Sequence, residues 1–551
     1  MLNKIKIMQK SIIIFFSLCL AFHFSIKAQN TGLPTGEVDV IDEFEARLID
    51  AERFVVNPLL PSLDTNKRAL NYQIINKALQ VQYLPPSIRP LRVSPPAMSP
   101  IYNGFARIGA GFPTALYLDA AYDFVNEESP IKVGIDLFHN SADNKGKVEN
   151  QKFSNSLAQL NATYFNDLGF ALQGNLGYQN DVVHFYGYND LDDDFDTELT
   201  YAEDDVKQNF SNFFFSGKLF NTQATVADID YGAGIDFYSL QDNYAARETG
   251  YVIKGNLTKW LQEKHPITVN LILDFTSYQD TAKQSLNNYF LQPSYAFHGD
   301  QFKVKVGLNL ASHEDEFYFF PDIEASANVI ENLVTAFVGA TGGIQKNNFR
   351  NLTDYNPFLV SRIQVENTYT NKYYGGIKGE FMGFDYRAQV SYEDVDNLAL
   401  FVKNQDSIPR FNVMYDTASI ITLAAEISFP IFENLLISGS IAQRVYSLER
   451  EDKPWHLPSL SLNVGATYTM LDDKLRLQGE VFMENGVPVP TSDGSKNLNA
   501  LLDISGSAEY MFTETIGGFV RVNNLLNNRR QRWQHYPVLG LNGVIGLSAR
   551  F

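Results

Sequence analysis

Apolar and polar positions alternate along the last fourteen residues of the chain, 538–551. One set of alternate positions is apolar or small: Leu539, Leu541, Gly543, Ile545, Leu547, Ala549 and Phe551. The positions between them are mostly polar or small. A period of two predicts a β-strand with one face in an apolar medium and the other in a wetter one.

The clearest hairpin pattern spans residues 460–483, with a turn at 471–474. Arg476, Gln478 and Glu480 alternate with apolar residues in its second strand. Two other strand patterns carry polar or charged residues on one face in the same way: Lys303 with Lys305, and Arg387 with Gln389. The hidden face of a sandwich would be apolar, so these patterns indicate a barrel with a wet lumen and a lipid-facing exterior.

Short turns and long polar loops largely alternate along residues 101–551. The short turns are predicted at 166–169, 297–300, 330–332, 431–434, 471–474 and 512–515, and the long loops at 139–152, 179–209, 313–321, 345–371, 449–458, 484–497 and 526–537. Outer-membrane barrels have this asymmetry, with short periplasmic turns and longer extracellular loops. The fold class is therefore all-β, a transmembrane antiparallel barrel of about 22 strands over residues 101–551. The alternative, a soluble propeller, lacks a visible repeat of blade length.

The start of the chain has the features of a secretory signal peptide. Lys4, Lys6 and Lys10 precede an apolar run that ends near Phe24, and we expect cleavage after Ala28. The only cysteine, Cys19, lies inside this segment, so the predicted mature chain has no thiolate metal site and no disulfide.

Residues 29–100 have a different composition from the rest and hold nine of the 22 prolines. Proline at this density disfavours long helices and central strands. We predict a short periplasmic or lumen-filling segment that lies against another surface.

Charge excludes one class of partner. Removal of residues 1–28 takes away four lysines and moves the formal net charge from −19 to −23. So acidic a surface argues against nucleic acid as a partner.

The loop 179–209 is rich in carboxylates among aromatic residues. Asp190, Asp192, Asp194 and Asp196 are candidates for a weak cation or partner site, because clustered carboxylates collect hard cations such as calcium. A solvated acidic loop is the commoner meaning of such a cluster. No histidine pair, nucleophile motif or phosphate-binding glycine loop stands out, so no resident metal, cofactor or enzymatic activity is predicted.

A basic and aromatic loop precedes the last strand. It contains Arg529, Arg530, Arg532, Trp533, Gln534, His535 and Tyr536. Its arginines suit either contact with lipopolysaccharide phosphates or pairing with acidic neighbouring loops.

The C-terminal region resembles that of TonB-dependent receptors of the Gram-negative outer membrane. The resemblance rests on residues 520–528, Tyr536, Pro537, Gly540 and the last strand, which ends on Phe551. It implies that Phe551 is part of the signal read by the barrel-insertion machinery. The family's folded plug domain is roughly twice as long as residues 29–100, so a full plug is not expected.

The resemblance also suggests how residues 37–41 are used. Glu37, Val38, Asp39, Val40 and Ile41 are a candidate TonB-box-like strand, which would add to an exposed sheet edge of TonB. The alternative is an ordinary flexible terminus. Two functions remain open: an outer-membrane barrel that transports or gates a small solute, and a non-transporting barrel that serves as a platform in an envelope secretion or assembly complex.

Overall fold

The computed structural model describes residues 102–551, apart from 127, 195–198, 224, 226, 332 and 433. The predicted signal peptide, the proline-rich segment and the TonB-box-like strand therefore lie outside the described residues. In the described part, 22 strands join into one closed antiparallel sheet. The predicted fold class and strand number are confirmed.

The strands follow one another around the barrel in chain order. The first eleven are β1 (Gly104–Phe112), β2 (Ala115–Phe124), β3 (Ile131–Asp143), β4 (Lys152–Asn166), β5 (Phe170–His184), β6 (Lys207–Asn221), β7 (Ile229–Asp242), β8 (Arg247–Leu261), β9 (His265–Gln279), β10 (Lys283–His298) and β11 (Phe302–His313). The next eight are β12 (Glu316–Ile330), β13 (Val334–Asn347), β14 (Glu366–Phe381), β15 (Phe384–Lys403), β16 (Phe411–Phe432), β17 (Leu435–Leu448), β18 (Leu460–Met470) and β19 (Leu475–Asn485).

Two small hairpins interrupt the order of the last barrel strands. The first hairpin is β20 (Pro488–Thr491) with β21 (Gly494–Asn497), after which the barrel continues with β22 (Leu501–Met511) and β23 (Ile516–Asn523). The second is β24 (Gln531–Trp533) with β25 (Tyr536–Pro537), and the last barrel strand is β26 (Asn542–Arg550). The described helices are a 3₁₀-helix at Tyr186–Asp194, α1 (Glu203–Val206) and α2 (Phe349–Tyr355).

The first and last strands close the barrel by pairing with each other. Gly109 lies opposite Gly546 in this pair, and the main chains of Gly104 and Phe551 exchange hydrogen bonds of 2.8 and 3.0 Å. A Cβ atom on Gly111 would lie 1.8 Å from the Gly543 carbonyl oxygen, so glycine is required for this close approach.

The two faces of each strand differ as the sequence predicts. Apolar side chains such as Ile108, Val338 and Leu547 are exposed on the outside. Charged side chains on the inner face pair with one another, as Lys305 does with Asp322 at 2.6 Å. An apolar exterior around a polar interior places these strands across a membrane, as a multi-pass outer-membrane barrel. In the described residues no helix is long and apolar enough to cross a bilayer.

The connections at the two ends of the barrel differ in length. At one end, the turn end, none of the connections between consecutive barrel strands exceeds the seven residues of 222–228. The other end, the loop end, carries the long connections 185–206, 348–365, 449–459, 486–500 and 524–541. The predicted loop at 313–321 is wrong, because β11 and β12 leave only residues 314 and 315 between them. Aromatic residues on both faces, including Phe319 and Phe320, hide the alternation there.

The strands are unequal in length, and the longest ones rise on one side of the barrel. β16 has 22 residues and β15 has 20, whereas β23 has eight. A transmembrane strand needs about 9 to 11 residues. The parts of β15 and β16 nearest the loop end therefore extend beyond the membrane.

Candidate functional site

Five connections at the loop end pack into one apolar core, which we call the loop dome. They are the connections 185–206, 348–365, 404–410, 449–459 and 524–541. The buried members of the core from these connections and the adjoining strand ends include Phe185, Tyr188, Val206, Phe210, Phe349, Leu352, Leu359, Ile363, Val365, Phe401, Phe411, Trp533 and Tyr536. Because the connections start from strands on different sides of the barrel, their common core spans the mouth.

The connection 524–541 supplies two rings at the middle of the loop dome. The Tyr536 ring stacks on Phe358 with ring centroids 3.8 Å apart and meets Tyr186 edge-on at 5.1 Å. The Trp533 ring packs edge-on against Phe411 at 5.3 Å. The tyrosine hydroxyl also donates a hydrogen bond to the Pro409 carbonyl oxygen. One connection thus joins three others.

His456 is fully buried in the loop dome. Its Nδ1–H donates to the Phe401 carbonyl oxygen at 2.7 Å, and its ring stacks on Trp533 at 5.5 Å. Burial lowers the pKa of His456 to about 4, and the nearby positive charges of Arg532 and His535 act in the same direction. The imidazole is therefore neutral at physiological pH.

One arginine of the basic loop pairs with a carboxylate near the end of β19. Arg532 pairs with Glu484 through Nε and Oε2 at 2.6 Å, so this arginine pairs with an acidic neighbour, which is one of its two predicted uses. Arg529 and Arg530 are exposed and remain candidates for phosphate contacts.

Asp190 is the one predicted site carboxylate whose surroundings the structure describes. Its Oδ2 lies 3.0 Å from His535 Nδ1 and accepts a hydrogen bond from Gln531 Nε2 at 2.9 Å. Burial opposes ionisation of Asp190, but the hydrogen bonds from His535 and Gln531 outweigh it and lower its pKa. The side chains of Asp192 and Asp194 lie outside the described set, as does residue 196, and the described residues contain no group of three or more histidine, cysteine or acidic side chains suited to a metal.

One buried carboxylate fixes the start of the connection 348–365 inside the barrel. Glu248, on the inner face of β8, is fully buried. Its Oε2 accepts the Phe349 main-chain N–H at 2.7 Å, and its Oε1 accepts the Asn348 side-chain amide at 2.7 Å and the Tyr238 hydroxyl at 2.9 Å. The start of α2 is therefore fixed to the barrel wall.

The rest of this connection follows the inner wall from β7 to β10. Gln284 Nε2 donates to the Ile363 carbonyl oxygen at 2.8 Å, and Gln284 Oε1 accepts the Val365 N–H at 3.0 Å. The Ser361 hydroxyl donates a hydrogen bond to the Asp242 carboxylate, and the Ser361 main-chain carbonyl oxygen accepts one from the Tyr278 hydroxyl. We call this connection the latch loop, because these contacts turn it into the lumen instead of out into solvent.

The latch loop is the part of the site that sequence reasoning missed. The sequence predicts only a polar loop at residues 345–371, and Glu248 resembles any other charge on the inner face of a strand. A local signal was present: Asn348 is a good helix N-cap, and Phe349, Leu352 and Thr353 have helical spacing. The partnership of Asn348 with Glu248, 100 residues away, has no local signal.

The lumen outside the loop dome is polar. One cavity on the inner wall has a volume of about 470 Å³ and is lined by β17–β19, β22 and β23. Asn463 donates to Glu480 at 3.3 Å there, and Arg521 lies nearby. Side chains of this kind suit contact with a polar solute.

The C-terminal Phe551 lies at the turn end of the barrel. Its ring is half exposed and stacks on Tyr122 with ring centroids 5.6 Å apart. Its main chain pairs with Gly104, so the predicted insertion signal is also part of the closing strand pair.

The fold is similar to that of solved outer-membrane receptors and transporters at low sequence identity. The ferripyoverdine receptor of the outer membrane of Pseudomonas aeruginosa is 12% identical, with a TM-score of 0.60 over 82% of this chain and 72% of that chain. The FrpB iron transporter from Neisseria meningitidis is 8% identical, with a TM-score of 0.62 over 82% of each chain. The siderophore receptor PirA from Acinetobacter baumannii is 10% identical, with a TM-score of 0.61 over 81% of this chain and 80% of that chain.

No protein-family model and no curated protein sequence matches the chain. At these identities the likeness establishes the fold, which is also the one that the resemblance of the C-terminal region implies. The chain has the 22-stranded outer-membrane barrel fold of the TonB-dependent receptors.

Proposed function

We propose that this protein passes a small solute across the outer membrane and that the latch loop gates its passage. The observation that carries the proposal is the fixing of an inward-folded connection by one buried carboxylate, Glu248, above a polar lumen. The structural neighbours named above are receptors and transporters, which supports transport and agrees with the expectation that the chain is not an enzyme.

The N-terminal segment has a part in this proposal. We propose that residues 29–100 fill or regulate the lumen from the periplasmic side, and that Glu37–Ile41 is the strand offered to TonB. Lipopolysaccharide contact at Arg529 and Arg530 and recognition of Phe551 by the insertion machinery complete the proposed set of partners.

Conductance in planar bilayers tests the gate. Glu248→Gln keeps the size of the side chain but places amide hydrogens among the donors that the carboxylate accepts, so the latch loop should release. We expect few openings for the mature protein, residues 29–551, and frequent ones for Glu248→Gln and for a variant in which a short glycine–serine linker replaces residues 349–363.

The matched control for the gate is Glu331→Gln, a carboxylate at the turn end that is exposed. It should conduct like the parent protein. A closed barrel after removal of residues 349–363, both with and without residues 29–100, would contradict gated transport.

The well-packed loop dome also favours the second candidate, a permanently closed platform for envelope partners. Among the residues that the structure describes, eighteen form its buried core, which is the construction of a stable domain and not of a mobile flap. This candidate predicts partner proteins that copurify after gentle detergent extraction and crosslinking. Recovery of the protein alone would contradict it.

A further inference from the structure

A second cavity lies between helix α2 and the inner wall of the barrel, with a volume of about 270 Å³. Its walls come from β4–β7 and its other side from α2 and the residues that follow it. We call it the α2 pocket. A volume of this size suits a small molecule.

One buried acceptor in the α2 pocket has no partner. Asn212 is 5% exposed, and its side-chain oxygen accepts no hydrogen bond from any described residue. Buried polar atoms in native proteins are nearly always paired, so this oxygen points to a missing donor. The other two side-chain amides of the pocket are paired: those of Asn155 and Gln179 donate hydrogen bonds to the Asp181 carboxylate at 2.9 and 2.6 Å.

Charges of both signs line the α2 pocket. Arg350 and Asp354 project from α2, and Asp181 projects from β5. The two helix residues have the i, i+4 spacing at which opposite charges commonly pair. Neither of them makes a salt bridge within the described part of the chain.

The guanidinium of Arg350 instead lies over the Tyr238 ring, 4.8 Å from its centroid. Burial raises the pKa of Asp354, while the charge of Arg350 partly offsets this rise and that of Asp181 adds to it. A bound group that carries positive charge would relieve the repulsion between the two carboxylates, and the Arg350 guanidinium, which has no salt-bridge partner among the described residues, can pair with an anion.

We propose that the α2 pocket binds a small zwitterion with one carboxylate and one ammonium group, of the size of an amino acid or a dipeptide. Arg350 binds the carboxylate, Asp181 and Asp354 receive the ammonium group, and the Asn212 oxygen accepts one N–H. This inference rests on the proposed transport function, for which it identifies the class of solute. Because one side of the pocket is the latch loop, an occupied pocket stabilises the closed barrel.

Calorimetric titration of the purified mature protein in detergent tests the proposal with three related probes. They are L-alanyl-L-alanine, its N-acetyl derivative, which lacks the ammonium, and its C-terminal amide, which lacks the carboxylate. We expect the dipeptide to bind at least about tenfold more tightly than either derivative, because each derivative leaves a charged group of the pocket without its partner. Equal binding of all three, or no binding of the dipeptide, overturns the proposal.

Variants assign the probe to the α2 pocket. Arg350→Gln should weaken binding of the dipeptide at least about tenfold and leave binding of the amide unchanged, because only the carboxylate partner is lost. Asn212→Leu should weaken both. The control is Arg476→Gln, an arginine on the inner wall near the turn end, which should bind like the parent protein.

Two further results separate this inference from the proposed function. If Glu248→Gln conducts but the dipeptide does not bind the parent protein, gated transport stands and the zwitterion site is rejected. If the dipeptide binds but removal of residues 349–363 opens no pore, both with and without residues 29–100, the site stands and transport is rejected. An amide derivative that binds better than the dipeptide would show a cation site and overturn the assignment.

Discussion

At the scale of single residues, the loop dome depends on groups that burial forces into one protonation state. His456 is the clearest case, because its ring has an aromatic neighbour on one face and no access to solvent. A charge on this ring would be unpaired in an apolar core and next to the positive Arg532. The neutral form is therefore part of the folded loop dome.

The loop dome should lose stability in acid because of His456. When the loop dome opens, the imidazole regains its ordinary pKa near 6.5, whereas in the folded state the value is about 4. Between these values the open state binds more protons, so the stability falls as the pH falls through this window. From pH 7 to pH 5 we expect a loss of about 2 kcal/mol.

Tryptophan emission measures this loss, since Trp455 and Trp533 are buried in the loop dome. Their emission should shift to the red as the pH falls. His456→Phe removes the titrating group and should flatten the pH dependence, although it also lowers the stability at pH 7 through the lost hydrogen bond to Phe401. A variant as sensitive to pH as the parent would show that other groups are responsible.

At the scale of elements, the sequence predicts the strands well and the loop dome poorly. The alternation in residues 460–483 corresponds to β18 and β19, and the turn between them lies at the predicted position. Each strand needs only its own period of two, which is local information. The loop dome depends on pairs such as Tyr186 with Tyr536, whose contact follows from the order of strands around the barrel and from no local period.

The candidate site shows the same division. The acidic loop and the basic loop are both visible in the sequence, but their contact through Asp190 and His535 appears only in the fold. The α2 pocket combines residues from two distant stretches, 155–240 and 350–357, so neither stretch alone predicts it.

Trp533 should be the most costly single side chain to remove from the loop dome. Its ring contacts Phe411 and His456, and it is 4% exposed. Trp533→Ala should lower the free energy of opening of the loop dome by about 3 to 5 kcal/mol. Hydrogen exchange of peptides from residues 349–363 measures this free energy.

The control for the loop dome is Trp260→Ala. Trp260 donates to Asp230 at 2.8 Å near the turn end, far along β8 from Glu248. Its removal should leave exchange in residues 349–363 unchanged. Equal exchange in both variants would mean that the loop dome is not a single cooperative unit.

At the scale of the whole molecule, one strand pair decides whether the sheet is a barrel. β26 joins both β23 and β1, and the pair with β1 extends to the last residue. An open sheet in the membrane would leave two rows of unpaired main-chain groups in lipid, each group costing several kcal/mol. Closure is therefore the step that makes the rest of the fold stable.

Deletion of Phe551 should lower the amount of assembled barrel. It removes the stacking on Tyr122 and the last main-chain pair with Gly104. The heat-modifiable band in outer-membrane fractions measures assembly, and Phe551→Tyr, which keeps an aromatic ring at the end, should behave like the parent protein. Assembly of the deletion variant at the parent level would remove the insertion role proposed for this residue.

The position of Trp533 and Tyr536 in the chain has a consequence for biosynthesis. Both rings lie in the connection between the last two barrel strands, so they leave the ribosome after the other residues of the loop dome. A chain that stops early lacks β26 as well as the two rings that fill the middle of the loop dome. Its other loops then expose their apolar residues to water, and exposed apolar segments of unfolded chains are readily degraded. Incomplete copies should therefore be removed by proteases before they accumulate as leaks in the outer membrane.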